Sequence, residues 1–311
     1  MTQQTLDPML ASIANTFDVR PPVTVVNRGL NLTLRACDSQ GRGIFIRLAP
    51  PERSLADVLA ECSFVTTIRD TPCLNPLRPI CDASGVAARE VELCDQTHVV
   101  TVYPEATGMP LSGARDTYIL MGNALAELHA QSHATLPSGV SPISATVNLQ
   151  RLSRNKFVSP SFVHQASHHL DLLRQRIDGN AFSTRTAPCH GDFRLANALQ
   201  HEGRLQLFDW EACHVGLAWR DASRVAWWLE HQKSPEQASA CWSEFLAGYD
   251  CNVAPDAIAN VVAYHMCELE LEALHAILLR HTVSSEIVAH MLHRATHLFD
   301  RATSGTLRVL P

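Results

Sequence analysis

The hydrophobic period of the chain changes between Pro104 and Pro110, and that change limits the folds open to it more than any other feature. Before it, apolar residues come in short or alternating runs; beyond it they recur every three or four positions. Pro22–Asn27 and Asn31–Cys37 are short runs rich in Val, Thr and Leu. In a third run, Ile44, Ile46 and Leu48 share one face and Phe45 and Arg47 the other. Ser54, with Asp57 three residues on, is a near capping box that opens a helix. On it Leu55, Leu59, Cys62 and Thr66 fall on one face and Glu61 is displaced from it. Val86–Cys94 and Thr97–Tyr103 read as two further strands. Pro104-Glu105-Ala106-Thr107-Gly108-Met109-Pro110 has the composition of a linker.

Downstream, Leu120, Met121, Ala124, Leu125 and Leu128 fall at helical spacing within Tyr118–His129. Phe162–Ile177 and the stretches near 217–231, 236–250, 255–281 and 285–302 follow the same period. One β-like island, Ala196–Gln200 and Leu205–Phe208 around His201-Glu202-Gly203-Arg204, predicts a hairpin. The expected class is therefore α+β, with a β-rich lobe over residues 1–103, a hinge over 104–110 and a mainly helical lobe over 111–311.

Twenty-five Lys and Arg against 31 Asp and Glu give a net charge of −6, which argues against a nucleic-acid partner, since phosphate backbones attract clustered positive charge. Lys156 and Lys233 are the only lysines, so any cation needed earlier in the chain must be an arginine. Ten cysteines with no C-x-x-C pair suit a reducing compartment and make a zinc site unexpected. Met1–Arg20 has neither a basic n-region nor an apolar h-region, and no run approaches the roughly 18–20 apolar residues of a membrane span. A cytoplasmic protein without a membrane partner is expected.

The island is framed by Cys189-His190-Gly191-Asp192-Phe193-Arg194-Leu195-Ala196-Asn197 and Leu207-Phe208-Asp209-Trp210-Glu211. Phosphoryl transfer needs a carboxylate near the acceptor hydroxyl and oxygen ligands that hold Mg²⁺ on the nucleotide phosphates. Asp192, Asn197 and Asp209 supply one candidate base and two candidate ligands. His-Gly-Asp, four residues, Asn, a hairpin and Asp-Trp-Glu resemble the signature of the aminoglycoside phosphotransferase and choline kinase families.

That resemblance spans residues 22–231 and implies a bilobal protein-kinase-like fold that uses ATP and Mg²⁺. It implies that Asp192 is the catalytic base, that Asn197 and Asp209 bind Mg²⁺, and that His190 and Gly191 shape the loop. Arg28-Gly29-Leu30-Asn31-Leu32-Thr33 resembles the phosphate-covering turn, though with one glycine. Arg47 stands where the families place a cation on the nucleotide phosphates, with Glu61 as its partner. Val99–Tyr103 and the following Glu105 resemble the hinge whose backbone meets adenine. Ala124–His129 resembles the first large-lobe helix, with His129 structural, and Arg220 with Asp221 suggests a salt bridge supporting the catalytic loop.

The acceptor is expected to be a small molecule bound through its hydroxyl. Glu211 is the first candidate to hold an ammonium group, followed by Glu268, Glu270 and Glu272, with Trp210, Trp227 and Trp228 available to stack on one. An amino alcohol like choline, ethanolamine or thiamine is slightly favoured, with an aminoglycoside or other antibiotic as the alternative. No Ala-Pro-Glu segment follows Asp209, which disfavours a protein substrate. The alternative of another class is a catalytically inactive kinase-like binding module, for which Arg47 and the glycine-poor turn would speak.

Overall fold

The computed structural model describes residues 13–14, 16–28, 31–93, 96–132, 144–178, 184–249, 255–279 and 283–310. Gly29 and Leu30 of the phosphate-covering turn, and Cys94, lie outside them. The chain forms two compact units. The first holds the N-terminal strands up to Pro110 together with Ala196–His214; the second holds Leu111–Ser132, Ser141–Leu195 and Val215–Pro311. Asn197 and Asp209 therefore belong to the unit of the N-terminal strands.

In the first unit, β1 (Val19–Arg28), β2 (Leu32–Asp38), β3 (Gly43–Leu48), β5 (Ala88–Leu93) and β6 (Gln96–Pro104) form an antiparallel sheet in the order β1-β2-β3-β6-β5. Alternation sorts its two faces. Ile44, Ile46 and Leu48 of β3 join Val100 and Val102 of β6 and Leu34 of β2 in one core, with Ile13 and Phe17 packed on it. On the other face Val99, Ala88 and Ala49 meet Val58 and Cys62 of helix α1 (Leu55–Thr67).

Ser54 caps α1 as a full capping box with Asp57. Glu61, which its face assignment set aside, is buried beside Val58, Phe64 and Val65, because α1 is covered on more than one side. The short β4 (Leu74–Pro76) runs parallel to β10 (Arg204–Leu207). Strand β10 closes the hairpin with β9 (Ala198–His201), which in turn pairs with β7 (Met109–Pro110) inside the expected hinge. Gly108 permits that approach: its φ is +129°, and a Cβ there would sit 2.5 Å from the Gln200 carbonyl oxygen. Neither β4 nor β7 has a period to read, since two or three residues cannot show alternation.

The second unit is helical: α2 (Arg115–His129), α3 (Ala145–Leu152), α4 (Pro160–Ile177), α5 (Ala218–Gln232), α6 (Pro235–Tyr249), α7 (Pro255–Leu278) and α8 (Ser285–Ser304), with β8 (Thr186–Cys189) leading into the His190 loop. Helices α2 and α6 cross at Gly122 and Gly248, where a Cβ on Gly122 would lie 2.1 Å from the Phe245 carbonyl oxygen. No helix among the described residues is long and apolar enough to cross a membrane.

Glu270, an ammonium-binding candidate from the sequence, is a buried knot of this unit. It accepts hydrogen bonds from Trp227 Nε1 (2.8 Å) and Arg294 Nε (2.8 Å) and lies 3.0 Å from His231 Nε2. Burial alone would raise its pKa above the ordinary 4.5; the bond and charge of His231 and the charge of Arg294 outweigh this and lower it. A lowered native value stabilises the fold above the ordinary carboxylate range, and that stability is lost as pH falls through the native value. Glu270→Ala, which strands His231 and Arg294, is expected to cost about 3–5 kcal/mol in urea unfolding and to flatten the acid limb of stability below pH ~4.5. A variant as stable as the parent would show that the knot contributes nothing.

Candidate active site

The first unit brings Arg47, Glu61, Tyr103 and Asp209 together. Alternation along β3 turns Arg47 away from the Ile46 face and toward α1, where Glu61 waits. The Arg47 guanidinium pairs directly with Glu61, and both are nearly inaccessible. Arg53, which nothing in the sequence pattern singled out, reaches the other oxygen of Glu61 at 2.8 Å. The Tyr103 hydroxyl donates to Glu61 Oε1 at 3.4 Å, and its ring lies 5.5 Å from the Arg47 guanidinium carbon. Burial pushes the Tyr103 phenol well above its ordinary pKa and keeps it a donor. Tyr103 thus belongs to the arginine cluster through its side chain.

Asp209 carries its carboxylate to 4.0 Å from Arg47 Nη1. Its backbone is left-handed, φ 64°, a conformation that Asp tolerates better than most residues and that clusters at functional sites. The Phe208 N–H donates to the Asn197 carbonyl at 3.0 Å, which ties the buried Asn197 to the residue preceding Asp209. An amide oxygen and a carboxylate are hard donors that suit Mg²⁺, which takes few protein ligands and completes its shell with phosphate and water oxygens. Among the described residues the only grouping of three His, Cys, Asp or Glu ligand atoms is His129, Cys189 and Asp221, buried in the second unit. Four polar atoms of the first unit, Asn31 Oδ1, Arg47 Nε, Arg53 Nη2 and Thr101 Oγ1, are buried with no hydrogen bond among the described residues.

Two expected site residues have partners within the first unit. Glu211 accepts a 2.7 Å hydrogen bond from Asn31 Nδ2, so one of its oxygens anchors the turn after β1. Glu105 gives its N–H to the Gly43 carbonyl (2.8 Å) and its carboxylate to Arg35 Nε (2.9 Å). That N–H pairs within the sheet, and the Thr107 N–H is held by Gln206 Oε1 at 2.6 Å.

In the second unit, the loop after β8 is held from α5. Asp221, in the first turn of that helix, accepts the backbone N–H groups of His190 (2.7 Å) and Gly191 (3.0 Å). Gly191 has φ +82° and Asp192 N–H bonds His190 Nδ1 at 3.2 Å, so the loop is shaped by the expected pair. His129 lies between Tyr249 (Nδ1 to hydroxyl, 2.6 Å) and Asp221 (3.5 Å), a structural post. Of the expected Arg220–Asp221 pair, Asp221 supports the loop, whereas Arg220 points to Glu272 and to Glu268 (3.9 Å).

Asp192 itself lies between two arginines. Arg194 Nε lies 2.9 Å from Oδ2 and Arg224 Nη1 3.6 Å from Oδ1. Arg224 Nη2 also holds Glu272 at 3.1 Å. The sequence carried a signal for this that its motifs obscured: Arg220, Arg224 and Trp228 are four apart on one helix, hence on one face.

A family model of phosphotransferase enzymes matches residues 29–251, well over half of the chain. Among solved structures, amicoumacin kinase hAmiN in complex with AMP-PNP, Ca²⁺ and Ami is similar with a TM-score of 0.73 at 16% identity, over 99% of this chain and 95% of that one. A microcompartment-associated aminopropanol kinase gives 0.74 at 17%, over 98% and 99%. A choline/ethanolamine kinase family protein from Mesorhizobium loti gives 0.65 at 14%, over 97% and 99%. No curated protein sequence matches. The chain belongs to the phosphotransferase enzyme family, with its α+β protein-kinase-like fold, and is a small-molecule kinase.

Proposed function

We propose that this kinase moves the γ-phosphoryl group of ATP to a hydroxyl of a small molecule, with Asp192 as base and Mg²⁺ held by Asn197 and Asp209. The observation that carries the reading is the Arg47–Glu61 pair beneath Tyr103 with Asp209 4.0 Å from Arg47. That cluster supports reading Arg47 as the phosphate cation, Glu61 as the acid that orients it and Asp209 as a metal carboxylate. Mg²⁺ supplies charge neutralisation on the phosphates when bound. Asp192 orients the acceptor hydroxyl and takes its proton. Arg47, whose buried Nε donor is unspent, holds a phosphate oxygen. In this reading residues 1–103 carry the nucleotide, 104–110 form the hinge and the lobe from 111 carries the acceptor, in the cytoplasm.

Between amino alcohols and antibiotics as acceptors, the sequence leans slightly to the former. Of the three α7 candidates, Glu272 is the most exposed, with 36% of its side-chain surface accessible, and is the one best able to meet an ammonium group. An inactive binding module is disfavoured because Asp192, Asn197 and Asp209 are all retained.

Arg47 provides the test. Arg47→Ala is expected to fold, since Arg53 still neutralises Glu61, and to lose about 10–100-fold in kcat/KM with a raised KM for ATP. Arg47→Lys should recover part of that loss, because an ammonium supplies the charge without the fork. Parental kinetics in Arg47→Ala would remove the phosphate clamp from this residue.

A further inference from the structure

The groups around Asp192 bear on the identity of the acceptor, an inference that rests on the phosphotransferase reading. Both oxygens of Asp192 face guanidinium groups, from Arg194 at 2.9 Å and Arg224 at 3.6 Å. Arg194 also lies over the Trp228 ring at 5.3 Å, and Trp228 Nε1 is a buried donor with no hydrogen-bond partner among the described residues. Arg220 and Arg224 share Glu272, and Arg220 reaches Glu268, itself bonded to His265 Nδ1 at 2.8 Å. Burial would raise the pKa of Glu272, but Arg224 and Arg220 outweigh it and keep the carboxylate ionised. Three guanidinium groups thus stand among three carboxylates, and the cations lie nearest the proposed base.

A purely cationic acceptor would meet Arg194 and Arg224 at the point where its hydroxyl must approach Asp192. Moreover, a guanidinium 2.9 Å from one oxygen of the base opposes its protonation until that cation faces another anion. We propose that the acceptor is a hydroxy amino acid, whose carboxylate is bound by Arg194 and Arg224 and whose ammonium group faces Glu272. Planar guanidinium forks match carboxylates: Arg224 already bonds Glu272, and the Arg194 Nε beside Asp192 is buried and unspent. The incoming carboxylate draws Arg194 from Asp192 Oδ2. Asp192 Oδ2 then accepts the hydroxyl proton as the O–H bond breaks. The acceptor oxygen bonds the γ-phosphorus, and the bond to the bridging oxygen breaks with its electron pair leaving on ADP. An acceptor without the carboxylate leaves Arg194 in place, so discrimination falls on kcat as well as KM.

The test uses pairs that differ by the carboxylate alone: serine with ethanolamine, threonine with 1-amino-2-propanol, homoserine with 3-aminopropanol. Each amino acid is also run as its primary amide, and 3-hydroxybutyrate reports on the carboxylate without the amine. ADP release with Mg·ATP is measured for the full chain, and melting temperature with Mg·ADP shows nucleotide binding and folding. At least one amino acid should exceed its decarboxylated partner and its amide by about 100-fold in kcat/KM. Arg194→Gln and Arg224→Gln, melting normally with Mg·ADP, should erase that ratio. The proposal is overturned by equal or better turnover of the decarboxylated partners. It is also overturned if no amino acid is phosphorylated or raises the melting temperature of the Mg·ADP-bound protein. Loss of nucleotide binding itself would instead strike the kinase reading beneath it.

Discussion

Replacing Asp192 with Asn is expected to lower kcat by about 10²–10⁴-fold while Mg·ATP binds as in the parent. The amide keeps the size of the side chain and its place on a loop held by Asp221 through the His190 and Gly191 N–H groups. What it loses is the capacity to accept the acceptor's proton. It also loses the ion pairs with Arg194 and Arg224, but Arg224 retains Glu272, so the arginine face is not left without counter-charge. Nucleotide titration of the variant in the presence of Mg²⁺ separates the two roles open to a carboxylate here. An affinity loss as large as the rate loss would assign Asp192 to the metal.

The second large effect is expected at Asp209, and Asn is again the informative replacement. Asp209 holds φ 64°, which Asn tolerates and Ala does not, so Asp209→Ala would mix backbone strain with loss of the ligand. Asp209→Asn keeps the turn and removes the negative charge that a divalent cation needs. Mg-dependent nucleotide affinity should fall beyond the roughly 10–100-fold that loss of an outer-sphere metal partner costs. Affinity measured with a chelator in place of Mg²⁺ should hold or rise, since Arg47 would no longer be shared with a carboxylate 4.0 Å away. Equal weakening with and without Mg²⁺ would make Asp209 a structural residue of the hairpin.

Features of this chain were legible in its sequence to the extent that they are local. The capping box at Ser54 and Asp57, the alternation of β3 and the hairpin at 198–207 depend on neighbours in sequence, and each stands where its pattern put it. The pairing of Arg47 with Glu61 was legible from the families' pattern, with an arginine in place because no lysine precedes Lys156. Arg53 was not, since its reach to Glu61 depends on the turn before α1 and not on any period. The parallel pairing of β4 with β10 joins residues about 130 positions apart and leaves no trace in either strand. Glu270 looked like its neighbours Glu268 and Glu272 on α7; only the packing of Trp227, His231 and Arg294 around it separates a buried knot from an accessible carboxylate. The arginines at Asp192 were visible as spacing but could not be assigned a target, because helix periodicity gives a face and not what the face meets.

Transfer of phosphate is tested most directly by ³¹P NMR of the protein with ATP, Mg²⁺ and a panel of hydroxy amino acids, amino alcohols and aminoglycosides. ADP and a new phosphomonoester resonance should grow in equal amounts for one class of acceptor. Both should vanish with chelator and in Asp192→Asn. Nucleotide bound with Mg²⁺ but never consumed, across the whole panel, would contradict phosphoryl transfer and leave a kinase-shaped binding module in its place.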